Sequence, residues 1–317
     1  MNILIRADSS STIGTGHIMR DLVLAKQYPE ANITFATQNL EGNINHKIDE
    51  AGYHIEILKS NSLDELDKLI KKLYIDMIVI DHYGIDYNFE EQLKIKNPTL
   101  KIMVLDDTYE RHHCDILLNH NIYGEETKYK KLVPQDCELR CGSKYTLLRD
   151  EFYLEKEKTK QKNQKFTIFV AMGGTDSSNV NPKILNVLSN YRNNILVNAV
   201  TTSANQNLKE LLEYCSGKTW IRLHINSNQI ANLLHNSDLA IVTPSVILNE
   251  LFYLDIPFIA IQTADNQRYM VEFLKNKKFN ILESWQICEF ENYIKAENIE
   301  ILNKKGVSED DKKNKRS

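Results

Sequence analysis

The stretch that decides the reading is Ile13-Gly14-Thr15-Gly16-His17-Ile18-Met19-Arg20. A short apolar strand, Asn2 to Ala7, and a polar turn, Asp8-Ser9-Ser10-Ser11-Thr12, lead into it. Behind it Ile18, Leu22 and Ala25 recur at helical spacing, so the order is strand, glycine loop, helix. Glycines let a ligand come close to the backbone, and the first amides of a helix carry partial positive charge suited to an anion. His17 stands where those amides point and is the candidate for chemistry; Gly14 and Gly16 are candidate ligand contacts. A glycine loop before a helix is also ordinary in α/β proteins, and a lone histidine at a helix start is more often structural. The reading therefore needs a second half-site. Gly14-x-Gly16 matches the start of a dinucleotide fingerprint, but Met19 stands where a small residue is needed for helix–strand packing. Nicotinamide and flavin are not expected.

Working outward, the chain has 317 residues, 42% of them apolar, and a net charge of −4. That gives room for two domains and no electrostatic case for a nucleic-acid partner. Cys114, Cys137, Cys141, Cys215 and Cys288 are scattered and odd in number, which does not read as a disulfide framework. Cys137 and Cys141 with His112 and His113 make a metal site conceivable, but buried free thiols are the plainer account. No apolar run approaches the ~20 residues of a membrane span, and the N-terminus does not resemble a signal peptide. The expectation is a cytoplasmic protein with no membrane partner.

Strands are expected at 33–36, 54–58, 77–80, 102–105 and 116–119, with helices between them. The run Met77-Ile78-Val79-Ile80 is continuously apolar, as in a strand buried on both faces, and Asp81-His82-Tyr83-Gly84 follows at its end. Ser62-Leu63-Asp64-Glu65 has capping-box spacing. Residues 154–165, LEKEKTKQKNQK, are almost without apolar side chains and read as a solvated linker or the exposed end of a helix, with the domain boundary placed there. The alternation then restarts, with strands at 166–172, 195–200, 220–225, 238–242 and 257–261. The expected fold is α/β: two Rossmann-like, doubly wound parallel-sheet domains facing a cleft. The expected divisions are 1–153, a linker 154–165, a second domain 166–303, and a charged, disordered tail 304–317.

In such sheets ligands bind outside the carboxyl ends of the strands. In the second domain one strand ends in Met172-Gly173-Gly174-Thr175-Asp176, a plausible diphosphate cradle built from backbone amides ahead of a helix. No Gly-Lys-Ser/Thr follows, so it is not a Walker loop. Asn249-Glu250 opens a later helix, and a carboxylate there can grip two ribose hydroxyls. The last strand runs into Gln262-Thr263-Ala264-Asp265-Asn266-Gln267. Together these make a nucleotide-diphosphate site.

The assembled motifs resemble the hydrolases that remove UDP from UDP-2,4-diacetamido-2,4,6-trideoxy-β-L-altropyranose in bacterial pseudaminic acid synthesis. The resemblance rests on Arg6-x-Asp8-Ser9-Ser10, Gly14-x-Gly16-His17-x-x-Arg20-Asp21, Asp81-His82-Tyr83-Gly84 and His112-His113-Cys114-Asp115 through Asn119. It continues through Arg140-Cys141-Gly142, Leu148-Arg149-x-Glu151-Phe152, Met172 to Asp176, Asn249-Glu250 and Asn266-Gln267. Beyond about residue 285 no motif matches. The family is similar to the GT-B glycosyltransferases. The resemblance implies that His17 is the catalytic base and that Tyr83 and Asn266 lie near the reacting sugar. It also implies that Glu250, beside Asn249, holds the ribose, and that Gly173, Gly174 and Thr175 hold the diphosphate. Arg149 is either a ligand contact or a structural pivot between domains. No cofactor, metal or obligate protein partner is implied, although Asp106-Asp107 are a conceivable magnesium pair.

One histidine suffices for such a reaction. Glycosidases need an acid because an alkoxide leaves poorly, whereas UDP leaves as a stabilised anion, and an imidazole titrates near ambient pH and can activate water. The rival readings are a glycosyltransferase that activates an acceptor hydroxyl and a non-catalytic nucleotide-sugar sensor.

Overall fold

The computed structural model of the chain describes residues 1–160 and 163–296. The chain divides into two compact units, one of Met1–Arg149 and the other starting at Asp150. The first holds seven parallel strands: β1 (Asn2–Ala7), β2 (Asn32–Gln38), β3 (His54–Leu58), β4 (Met77–Asp81), β5 (Lys101–Leu105), β6 (Ile116–Asn119) and β7 (Glu138–Cys141). Their order is β3-β2-β1-β4-β5-β6-β7, so the winding reverses between β1 and β4. Ile3 pairs with Met77 and Ala7 with Asp81, which sets the carboxyl ends of these two strands side by side.

Alternation along β1 explains how one strand serves two cores. Ile3, Ile5 and Ala7 face one apolar layer with Phe35, Val79 and Met103. Leu4 faces the other, with Ile78, Ile80 and Val104. Each such aliphatic side chain contributes roughly 1.5–3 kcal/mol on full burial. Arg6 is wholly buried, its charge met by a two-pronged bond to Asp8 at 2.7 Å on each arm. Helix α1 (Gly16–Ala25) covers the first layer through Ile18, Leu24 and Ala25.

The second unit repeats the plan with β8 (Phe166–Ala171), β9 (Ile195–Thr201), β10 (Ile221–Ile225), β11 (Leu239–Val242), β12 (Phe258–Ile261) and β13 (Ile281–Leu282). All its pairings are parallel, and the order β10-β9-β8-β11-β12-β13 reverses between β8 and β11. Its main core gathers Ile168, Val170, Ile184, Ile241, Ile259 and Phe290.

Some expectations meet a different local structure. Of the two readings of the stretch from 154, linker or helix end, the helix end holds at its start, where the helix Asp150–Lys156 finishes, anchored by the fully buried Phe152. Its Glu155 is also buried, bonded to Lys158 and Asn232. The Ser62 cap is half a capping box: its side chain accepts the Glu65 amide, while Glu65 turns instead to the amides of Lys59 and Ser60. Strands β7 and β13 and the Ile287–Ala296 helix are additions to the sequence reading. The tail expected at 304–317 lies outside the described residues. Among the described residues no helix is long and apolar enough to cross a membrane.

Candidate active site

The carboxyl ends of β1 and β4 carry the chemistry of the first unit. The loop after β1 is pinched by a two-residue bridge, with the Gly14 amide donating to Ser10 O at 2.9 Å and the Ser10 Oγ taking the Ile13 amide. That turn delivers Gly16 as the first residue of α1 and His17 as the second. The helix start has no side-chain cap and no acidic residue in its first turn.

His17 is buried, and its Nδ1 lies 2.6 Å from Asp81 Oδ1. Arg20, one turn along the same helix face, binds Asp81 through Nε at 2.6 Å and through Nη2. Burial alone would raise the Asp81 carboxyl, but the Arg20 and His17 side chains outweigh it and hold the group well below the usual carboxylate range. An ionised Asp81 only accepts, so Nδ1 of His17 carries the proton and Nε2 is left as the ring's acceptor. Arg20 reaches Asp107 as well, at 3.1 Å, and Tyr83 donates its hydroxyl to the other Asp107 oxygen at 2.9 Å. Burial and then the Asp107 charge push the Tyr83 phenol upward, so it stays a donor. Its ring meets His17 edge-on, 5.0 Å between centroids.

Asp8, Ile13, His17, Asp81, His82, Tyr83 and Gly84 line a pocket of about 190 Å³. That is below the roughly 300–1,000 Å³ of sites that enclose drug-sized ligands, and it matches a sugar-sized portion better than a whole nucleotide sugar. His82 is not a second base. Its Nδ1 accepts the Gly84 amide at 2.9 Å and its Nε2 donates to Asp8 at 3.2 Å. Asp8 is equally committed, to Arg6, His82 and the Gln38 amide, and against its burial these partners hold its carboxyl far below the usual range.

A supporting layer lies behind Asp107. Asp106 bonds Thr108, the Glu110 amide and the Tyr129 hydroxyl, and Tyr123 donates to the Asp107 carbonyl at 2.7 Å. The two aspartates thus serve different partners, which does not favour a shared magnesium. His112 Nδ1 is 2.8 Å from Glu90 and its Nε2 3.8 Å from Asp106. Burial opposes its charge, yet the Asp106 and Glu90 carboxylates raise it to about 9. Cys137 lies with Cys114, sulfur to sulfur 3.6 Å, instead of pairing with Cys141 around His112. Among the described residues no group of three or more His, Cys, Asp or Glu is placed to hold a metal.

In the second unit Gly173 and Gly174 are exposed and Thr175 half-buried, in the turn after β8. Gly173 has φ +79°, a left-handed conformation that suits glycine. The Gly174 carbonyl accepts the Thr202 hydroxyl at 2.8 Å. The helix that follows, Asn181–Leu188, has its leading amides already occupied. Asp176 accepts the Val180 amide at 2.9 Å and the Asn181 amide at 3.1 Å. Donors for a diphosphate would therefore come from the turn, not from those two helix amides. Thr243, after β11, and Thr263, after β12, meet at 3.1 Å, and the Gln267 amide donates to Thr243 at 2.7 Å. Glu250 lies half-buried in the first turn of the Ile247–Leu254 helix beside the buried Asn249; Asn266 is exposed in the turn Asp265–Gln267.

The structure thus brings His17 and Tyr83 together in one pocket, while Gly14 and Gly16 lie in the chain just ahead of His17 and are not among the pocket's lining residues. Separately, it sets the Gly173–Thr175 turn, the helix carrying Glu250 and the turn carrying Asn266 after the adjacent strands β8, β11 and β12. Arg149 is half-buried at the last position of the first unit. Sequence reasoning gave Asp81 and Arg20 no role of their own, and named Asp107 only as half of a conceivable magnesium pair. The available signal was Arg20 three residues after His17 and carboxylates at the ends of two buried strands.

No protein-family model matches the chain. The chain is 41% identical over 281 residues to the UDP-2,4-diacetamido-2,4,6-trideoxy-β-L-altropyranose hydrolase of Campylobacter jejuni, covering 89% of this chain and 98% of that protein. It is 30% identical to an uncharacterized protein of Methanocaldococcus jannaschii, over 84% of this chain and 57% of the relative. Among solved structures, Acinetobacter baumannii MurG superposes with a TM-score of 0.61 at 11% identity, covering 96% of this chain and 92% of that one. Anabaena HepE in complex with UDP does so with 0.61 at 12%, covering 93% and 89%. At such identities the structures speak for the fold, which is the two-domain GT-B type. The first relative, matched over nearly its whole length, settles the family: this chain belongs to that of the UDP-2,4-diacetamido-2,4,6-trideoxy-β-L-altropyranose hydrolase.

Proposed function

We propose that the protein hydrolyses UDP-2,4-diacetamido-2,4,6-trideoxy-β-L-altropyranose, releasing UDP, as a step of pseudaminic acid biosynthesis. The observation that carries the mechanism is the buried Asp81 gripping His17 Nδ1 at 2.6 Å, which leaves Nε2 as a fixed base in a sugar-sized pocket. Water attacks the anomeric carbon on the face opposite UDP. Its proton goes to His17 Nε2, the C–O bond to the phosphate breaks, and the electron pair leaves with UDP. Asp81 stabilises the imidazolium that forms. No acid need assist the leaving group, and the pocket's other candidates, Asp8 and His82, are tied to structural bonds. The product sugar is inverted at that carbon.

Tyr83, Gly14 and Gly16 bound the sugar side of this scheme, with the first domain carrying the catalytic loop. Gly173, Gly174 and Thr175 hold the diphosphate, Asn249 and Glu250 the ribose, and Asn266 a sugar or phosphate oxygen, with the second domain as the UDP-binding part. We assign Arg149 to structure at the domain boundary. The substrate is a small molecule acted on without an obligate protein partner, and free cysteines support a cytoplasmic setting.

The test is UDP release in heavy-oxygen water with no acceptor present. The expected result is rapid release from this substrate, little from UDP-N-acetylglucosamine, and the heavy atom in the sugar. Label in UDP, or no release until an acceptor is added, would overturn the reading.

A further inference from the structure

Beneath the pocket lies a carboxyl that the mechanism above does not use. Asp21 follows His17 by four residues on α1, so the two side chains share a face of the helix. It is fully buried, and neither of its oxygens meets a hydrogen-bond donor among the described residues. Its carboxyl lies within hydrogen-bonding reach of the Asp81 carboxyl. Two ionised carboxylates repel at that range, and two acceptors form no bond unless one of them carries a proton. Asp81 is not that one, because it accepts from His17 and twice from Arg20, contacts that hold it ionised. Burial, and then the Asp81 charge, push the Asp21 carboxyl well above the usual range against the opposing pull of Arg20.

We propose that Asp21 is a positioning residue that works as a neutral acid, donating its proton to Asp81 to make an acid–carboxylate–imidazole chain ending at His17. Its effect is on how firmly Asp81 holds the protonated ring. Part of the Asp81 charge is spent on the Asp21 proton, so less is available to keep His17 in the imidazolium form, and the ring returns to its base form more readily. The other charged and titratable groups facing the chain are consistent with a single net carboxylate charge there. Arg20 is bonded to Asp81 and to Asp107, the latter at the end of β5, and Tyr83 stays a phenol. His120, after β6, is held neutral, since burial and then the Arg20 charge push it down to about 3.

The inference rests on His17 being the base. The experiment separates the two ideas by pairing kinetics with a spectrum of the resting protein. In kcat against pH, the acid limb marks protonation of His17. Asp21→Asn keeps a donor toward Asp81 and should leave that limb in place. Asp21→Leu removes the donor and should move it upward by roughly 0.5–1 pH unit. A downward shift in Asp21→Asn would mean that a negative charge had been lost, and would overturn the proposal. An unmoved limb in both variants would reduce Asp21 to a space-filler and overturn it too. Should Asp21→Leu fail to fold, the infrared difference between wild type and Asp21→Asn at neutral pH decides. A carboxylic-acid carbonyl band present in wild type and missing in the variant supports the proposal, and its absence from wild type refutes it. Turnover surviving in His17→Asn would defeat the base assignment alone and leave that band untouched.

Discussion

The ends of the two sheets are built from the same topology and opposite chemistry. At the end of the first, buried charges hold one another: Arg20, Asp81, Asp107 and Asp8 are each tied by two or more charge-assisted bonds. At the end of the second lie exposed glycines and a neutral Thr243–Thr263–Gln267 linkage. A proton-transfer site needs one group fixed in one orientation and one protonation state, which buried partners supply. A site that grips and releases a nucleotide needs accessible donors and little stored charge. The difference is what the proposed mechanism needs, with turnover in one unit and affinity in the other.

The largest expected effect comes from breaking the first half of that contrast. His17→Asn should lower kcat by about 10²–10⁴-fold while isothermal titration shows UDP affinity nearly intact. A matching loss of UDP affinity would erase the division of labour. The mirror experiment is Gly173→Ala. At φ +79° an alanine is strained by roughly 1–2 kcal/mol, so UDP binding should weaken by about tenfold with kcat at saturation little changed. A fall in kcat with UDP affinity preserved would reverse the assignment. A third test carries the contrast into stability. His112 is raised from 6.5 to about 9 by Asp106 and Glu90 against its burial. Its contribution is therefore complete below about pH 6.5 and is lost as pH climbs through about 9. It amounts to an order of 3 kcal/mol, at the upper end of expectation. Urea unfolding across that window should show the decline in wild type and a flatter profile in His112→Asn; parallel profiles would remove His112 from the account.

What the sequence made legible was whatever repeats locally. The apolar run of β4 and the strand-loop-helix around Gly16 announce themselves in a few residues, and both sheets follow from such units. Strand β7, Glu138-Leu139-Arg140-Cys141, hides because it lies at the sheet edge and keeps two charged side chains. The helix over Asp150–Lys156 was legible only as one of two readings for a related reason: its charged residues mask its apolar anchor, Phe152. His17 was legible as a candidate, but the bond on which the proposed base rests spans 64 positions. No local pattern encodes such a bond; it exists because β1 and β4 are neighbours in the sheet and not in the chain.

One small contact has a wider reach. A methyl group on Gly84 would stand 2.8 Å from the His82 ring, whereas one on Gly16 would meet nothing within 4 Å. Position 84 is closed by the architecture of the pocket wall, whereas position 16 has open space around it. A population of variants screened for abundance would thus lose Gly84 before Gly16. Drift at position 84 would then record a rebuilding of the wall itself.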